Sequence, residues 1–213
     1  RRHGVSRGFV AVKPNCSLQS YVPAIHPLKA FGPNRIAVCT YQAISGAGKT
    51  FASWPEMVDN VIPFIKGEEE KSEQEPLKIW GQVIDGRIVP ATTPTISAQC
   101  LRVPVSDGHM AAVFVGFDKK PGKDEILAAW RDYAGAPQRL KLPSAPTPFL
   151  QYFEDDSRPQ TRLDRDAGGG QAITIGRLRP DAVFDWRFVA LSHNTVRGAA
   201  GGAVLTAELL AAE

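Results

Sequence analysis

Short apolar runs rich in β-branched and aromatic residues recur along this chain, most of them bordered by proline or glycine. They occupy residues 35–43, 96–105, 110–117, 149–153, 172–178 and 184–191. Runs of that length and composition read as strands. Residues 9–12, also apolar, read as a further strand leading into Lys13-Pro14-Asn15-Cys16-Ser17. Residues 123–134 show the helical spacing most clearly, with Ile126, Leu127 and Trp130 on one face and Tyr133 extending it. Strands outnumber helices. The expected fold is therefore α+β, a mostly antiparallel or mixed sheet with helices on one face. Ser106-Asp107-Gly108 is a hairpin signal between two of the runs, and hairpins are expected to dominate the middle of the chain.

The remaining elements follow from breakers and caps. Residues 17–31 predict a short or kinked helix, interrupted by Pro23 and Pro27 and ending before Gly32-Pro33. Residues 52–65 predict a helix disturbed by Pro63, and 72–80 a helix opened by a Ser72–Glu75 capping box. Residues 140–148 form a proline-rich connection, and 195–212 predict a final helix whose first half is rich in glycine and alanine. The chain opens on Arg1-Arg2-His3 and closes inside an apolar helical pattern, which reads as a piece lacking its natural N-terminal part.

Composition narrows the class. With 213 residues and 43% hydrophobic content, one core can be buried well, and 22% charged residues argue against disorder. The net charge of +3 is spread along the chain, with no basic stripe interleaved with aromatics, so no nucleic acid partner is expected. No apolar run approaches the ~20 residues that span a bilayer, and no signal-peptide pattern is present, so no membrane partner is expected. Cys16, Cys39 and Cys100 are odd in number and lack metal-ligand spacing, which argues against a disulfide framework or a metal site. A reducing, cytoplasmic setting is the expectation.

Chemistry concentrates in a few places. Cys16 falls at the start of a predicted helix, where free backbone N–H groups favour the thiolate; it is a nucleophile or a buried small hydrophobe. Cys39 and Cys100 lie inside strands and read as structural. Arg102 within a strand-like run needs an anionic partner, from the protein or from a substrate. His109, following the Asp107-Gly108 turn, can serve as a general acid or base. Glu75 and Lys78, three apart, share a helix face as an exposed ion pair or as ligands for an ammonium and a phosphate. The turn Ser45-Gly46-Ala47-Gly48 brings backbone amides near an anion or is simply a turn, and the small residues of 198–202 allow close packing.

Six stretches in order, PNCS (14–17), TYQAISGAGK (40–49), NVIPFIKGEEEK with EPLKI (60–79), RVPVSDGH (102–109), RPQTRLDRDAGGG (158–170) and HNTVRGAAGG (193–202), resemble the archaeal and fungal type of the aspartate-semialdehyde dehydrogenase family. Tyr41 before Gln42, Leu18, and Lys49-Thr50-Phe51 depart from patterns common in that family. The resemblance implies the C-terminal domain fold of glyceraldehyde-3-phosphate dehydrogenase-like enzymes. It divides the chain into a catalytic and dimerisation domain, 1–194, and a helix, 195–213, that packs on a cofactor domain preceding the cysteine. It implies Cys16 as nucleophile, His109 as acid/base and Gln42 as orienter of the acyl group. It further implies Arg102 on the substrate α-carboxylate, Glu75 on its ammonium, and Lys78 and Asn15 on phosphate. Ser45, Gly46, Gly48 and Asn194 are implied to meet the nicotinamide end of NADP(H). The implied reaction is NADPH-dependent reduction of L-aspartyl 4-phosphate to L-aspartate 4-semialdehyde. It serves lysine, threonine and methionine synthesis and runs in a homodimer or tetramer. A related acyl-phosphate or acyl-CoA reductase, or a non-catalytic dimerisation fragment, are the alternatives; without a cofactor domain the isolated chain is expected to be inactive.

Overall fold

The computed structural model describes residues 8–212. Along them run α1 (Leu18–Ile25), β1 (Pro33–Gln42), α2 (Glu68–Ile79), β2 (Gln82–Ile84), β3 (Arg87–Val89), β4 (Thr95–Arg102), β5 (His109–Phe117), α3 (Lys123–Arg131), α4 (Ala136–Arg139), β6 (Leu150–Phe153), α5 (Thr161–Asp164), β7 (Ile173–Pro180), β8 (Trp186–Ser192) and α6 (Gly201–Ala212). Six strands form one sheet in the order β4-β1-β5-β8-β7-β6, and β2 and β3 make a separate hairpin. The sheet is mixed: β1–β5, β5–β8 and β7–β8 are antiparallel, and β1–β4 and β6–β7 are parallel.

Period-two alternation builds the core. Ile36 and Val38 of β1, Ala111, Val113 and Val115 of β5, and Trp186, Phe188 and Ala190 of β8 face the same buried side. Against them α1 sets Leu18, Tyr21, Val22 and Ile25, and α3 sets Ile126 and Trp130. Trp130 meets Phe188 edge-on at 5.2 Å, and its indole N–H donates to the Ala24 carbonyl at 2.7 Å, tying α3 to α1. The Tyr21 hydroxyl donates to the Ser72 carbonyl at 2.9 Å, tying α1 to α2. The opposite face of the central strands leaves Ala37, Cys39, Tyr41, Ala112, Phe114 and Val189 half-buried.

Several expectations are corrected. Residues 9–12 form no strand, and Val10 and Val12 are exposed. Residues 52–65 form turns and a single 3-10 turn, Pro55–Met57. Pro55 and Pro63 break the helix, and the freed Ile62 pairs with Arg102 instead. Helix α2 begins at Glu68, after Gly67 in the left-handed region, so Ser72 is interior and caps nothing. Its hydroxyl meets the Cys100 thiol at 3.6 Å. Most consequential, β4 and β5 are not a hairpin, because β1 lies between them. The connection crosses the end of β1, where Val103 N–H donates to Gln42 O at 3.0 Å and Ile44 N–H to Val105 O at 2.9 Å. A local turn signal fixes the turn but not the strand that the turn leads to. The β2–β3 hairpin was not foreseen. Arg1, Arg2, His3 and Glu213 lie outside the described residues.

Candidate active site

The crossing connection positions the site. The last core-facing residue of β1 is Gln42, that of β4 is Arg102, and the first of β5 is His109. Gln42 and Arg102 are register partners, and Met110, next to His109, pairs with Tyr41. Alternation thus delivers an amide, a guanidinium and an imidazole to one end of the sheet, on the face covered by α1. Gln42 Nε2 donates to Thr40 Oγ1 and to Glu68 Oε2, both at 3.2 Å.

Cys16 lies in the turn that precedes α1, with its Sγ 3.6 Å from His109 Nε2. Asn15 organises this turn. Its Oδ1 accepts from the Ser17 N–H at 2.8 Å and from the Ser17 hydroxyl at 2.7 Å. The Asn15 backbone N–H donates to Glu75 Oε2 at 2.8 Å, and its Nδ2 donates to Glu68 Oε1 at 2.9 Å. Two turns of α2 therefore hold the segment that carries the thiol.

His109 is fully buried. Its Nδ1 accepts the Ala43 N–H at 3.1 Å, which assigns the ring proton to Nε2, facing the sulfur. Burial, reinforced by the Arg102 charge, pushes its pKa down to about 3, so the ring is neutral at physiological pH. Burial also raises the Cys16 thiol, and the Glu68 carboxylate adds to the rise; Lys13, a backbone N–H and Arg102 oppose it. A thiol lowered by the helix terminus alone is thus not what the site presents. Arg102 is 6% exposed, donates from Nη1 to the Ala43 carbonyl at 2.7 Å, and leaves the rest of its fork without a protein carboxylate among the described residues. A buried guanidinium with free N–H donors can receive a carboxylate.

A cleft of about 560 Å³ opens from Cys16 and is lined by Asn15, Ser45, Gly46, Asn194, Gly198 and Ala199, among others. Asn194 Oδ1 accepts from Gly108 N–H at 2.8 Å, and its Nδ2 donates to Ser45 Oγ at 2.9 Å, so it joins the two loops beside His109. Glycine is required at two points of the wall. A Cβ on Gly46 would sit 2.9 Å from Arg102 Nη1 and 3.0 Å from the His109 ring, and a Cβ on Gly198 would sit 2.8 Å from Cys16 Cβ. Gly48 is exposed and lies outside the lining.

The structure thus gathers Asn15, Cys16, Gln42, Ser45, Gly46, Arg102, His109 and Asn194. It does not gather Lys78, which is exposed and forms no ion pair with Glu75. Glu75 holds backbone in place. The pair that reaches the site is Glu68–Lys71, joined at 3.1 Å, with Glu68 only 9% exposed. Sequence reasoning singled out neither residue, because Glu68–Lys71 has the same spacing as Glu75–Lys78 and nothing local separates them. No group of three or more His, Cys, Asp or Glu side chains among the described residues could hold a metal, and no helix there is long and apolar enough to cross a membrane.

Comparison with known proteins adds the following. The family model described as "Semialdehyde dehydrogenase, dimerisation domain" matches residues 25–197. A protein of Archaeoglobus fulgidus named aspartate-semialdehyde dehydrogenase is 44% identical over 206 residues, 97% of this chain and 59% of that protein. One of the same name from Schizosaccharomyces pombe is 44% identical over 96% of this chain and 59% of its own length. The crystal structure of aspartate semialdehyde dehydrogenase with NADP from Candida albicans superposes with a TM-score of 0.86 at 37% identity, covering 99% of this chain and 60% of that one. The chain therefore spans about 60% of the length of the proteins it matches.

Proposed function

The chain belongs to the semialdehyde dehydrogenase dimerisation-domain family, and on that premise we propose that the complete protein is an aspartate-semialdehyde dehydrogenase. In this reading it reduces L-aspartyl 4-phosphate to L-aspartate 4-semialdehyde with release of phosphate, a step toward lysine, threonine and methionine. The observation that carries the reading is the Cys16 thiol, 3.6 Å from a neutral His109 whose proton faces it.

Cys16 loses its proton to solvent through the open cleft, the thiolate adds to the acyl carbon, and the acyl C–O bond to phosphate breaks as the thioester forms. His109 Nε2–H donates to the sulfur while it is anionic and to the oxygen that gains charge on the tetrahedral carbon. Because Nδ1 already accepts the Ala43 N–H, a doubly protonated ring would forfeit that bond, so His109 serves chiefly as a donor. Arg102 takes the substrate α-carboxylate. Glu68 takes its ammonium in place of Glu75, and Lys71 replaces Lys78 on the phosphate with Asn15. Gln42, held by Glu68 and Thr40, orients the acyl group.

The cleft of about 560 Å³ beside Cys16 has room for a flat cofactor ring, and Gly46 and Gly198 let its wall pack closely on Arg102, His109 and Cys16. Ser45, Gly46 and Asn194 are the residues that would hold the nicotinamide end of NADP(H), which when bound supplies the hydride. NADP is the ligand named for the Candida albicans relative. The half-buried face of Ala37, Cys39, Tyr41, Ala112, Phe114 and Val189 is proposed as the dimer surface, and exposed Ala203, Val204 and Ala207 of α6 as a contact for a cofactor domain.

The test is NADPH formation by the complete protein from L-aspartate semialdehyde. Turnover that needs both phosphate and Cys16 supports the reading. Turnover of another acyl donor only would assign the thiol to a different substrate.

A further inference from the structure

Lys13 stands three residues before Cys16 and has no role in the scheme above. Its stem lies against Gly202, where an added Cβ would sit 2.8 Å from Lys13 Cε. Its Nζ donates to the Pro14 carbonyl at 3.0 Å and to the Gly198 carbonyl. Gly198 lies in the bent stretch Val196–Ala200, where Ala199 leaves helical geometry (φ −140°, ψ −106°) and the backbone bonds from Gly198, Ala200 and Gly201 reach back five residues. Gly198 also packs against Cys16, where an added Cβ would sit 2.8 Å from Cys16 Cβ. Lys13 lines the same cleft as Cys16 and forms no ion pair among the described residues.

We propose that Lys13 is a positioning residue for the Cys16 nucleophile: its ammonium ties the chain entering Cys16 to the Gly198 bend that packs against the thiol, and it sets a positive charge beside the sulfur. The charged and titratable groups around Cys16 are Glu68, Lys71 and Glu75 of α2, Arg102 of β4, His109 of β5 and Lys13 itself, with Arg197 acting on Lys13 from the bent stretch. Burial and Glu68 disfavour the thiolate, and Lys13 leads the groups that oppose them. Burial lowers the Lys13 pKa, Cys16 pulls it back up, Arg197 lowers it further and Glu75 raises it.

The inference rests on the reading of Cys16 as nucleophile, but its test needs no substrate. The rate of Cys16 alkylation by iodoacetamide is followed against pH in the complete protein, for wild type, Lys13→Met, Lys13→Gln and Lys13→Arg, with Cys16→Ala as the blank. Lys13→Met is expected to raise the midpoint by about one pH unit, which is about tenfold less thiolate at neutral pH. Lys13→Arg is expected to restore it. Lys13→Gln keeps a donor for the two carbonyls and loses the charge, so it is expected to keep the wild-type Tm and still raise the midpoint; it decides the matter if Lys13→Met fails to fold. An unchanged midpoint in a folded Lys13→Gln overturns the proposal. A raised midpoint with no aspartate-semialdehyde turnover would uphold Lys13 and reject the proposed substrate.

Discussion

Helix α2 carries two Glu–Lys pairs at one spacing, Glu68–Lys71 in its first turn and Glu75–Lys78 about 10 Å further along the axis. The first is buried at its carboxylate and tied to Asn15, Gln42 and Lys71. The second is divided, with Glu75 holding the Asn15 backbone and Lys78 exposed. The difference is one of surroundings rather than chemistry. The start of α2 abuts the strand ends that carry Gln42 and Arg102, and its later turns leave them. Spacing on a helix tells which residues share a face, and only the packing tells which turn of that face meets a site.

Substitutions can break or sharpen this contrast. Glu68→Gln removes a charge from a buried network. It is expected to lower kcat/KM for aspartate semialdehyde by about 10²–10³-fold, the cost of unsettling a charged buried cluster; a loss under threefold would end the assignment of the ammonium to Glu68. Gly46→Ala forces a methyl against Arg102 and His109. Its expected cost is about tenfold to a hundredfold in kcat/KM with the fold retained, and wild-type kinetics would show the wall to be looser than described.

Protonation probes the same buried end. The His109 pKa is lowered by burial from its ordinary value of 6.5 to about 3, so the unfolded chain binds the extra proton first as pH falls. The stability tied to neutral His109 is whole above pH 6.5 and declines by up to about 1.4 kcal/mol per unit as pH drops from there toward 3. Tm followed over that range should fall less steeply in His109→Asn than in wild type; parallel curves would place the acid limb on other groups. Lys78→Met marks the small end of the scale. It is expected to stay within twofold of wild-type kcat/KM and about 0.5 kcal/mol of wild-type stability, and a tenfold loss of kcat/KM would return Lys78 to the site.

Much of the site was legible where alternation rules. Ile36, Val38, Thr40 and Gln42, then Ile96, Ala98, Cys100 and Arg102, then His109, Ala111, Val113 and Val115, each form one face of a strand, and each face ends at the candidate site on Gln42, Arg102 or His109. What could not be read was which strands are neighbours. The parallel pairing of β4 with β1 joins residues about 60 apart in sequence, and no turn signal encodes it. The helix expected over 52–65, disturbed at its end by Pro63, failed because Pro55 breaks it as well and the chain uses Ile62 to pair with Arg102. Lys13 was visible only as part of a motif, since its partners Pro14 and Gly198 are backbone carbonyls, which carry no side-chain signature.

The central claim is that Cys16 is the acyl carrier at the foot of this sheet. Intact-protein mass spectrometry of the complete protein tests it most directly, after incubation with L-aspartate semialdehyde and NADP and with phosphate withheld. The account predicts one aspartyl adduct per chain that maps to Cys16, vanishes in Cys16→Ala, and is discharged when phosphate is added. An adduct retained in Cys16→Ala, or none in a wild-type protein that turns the substrate over, would contradict it.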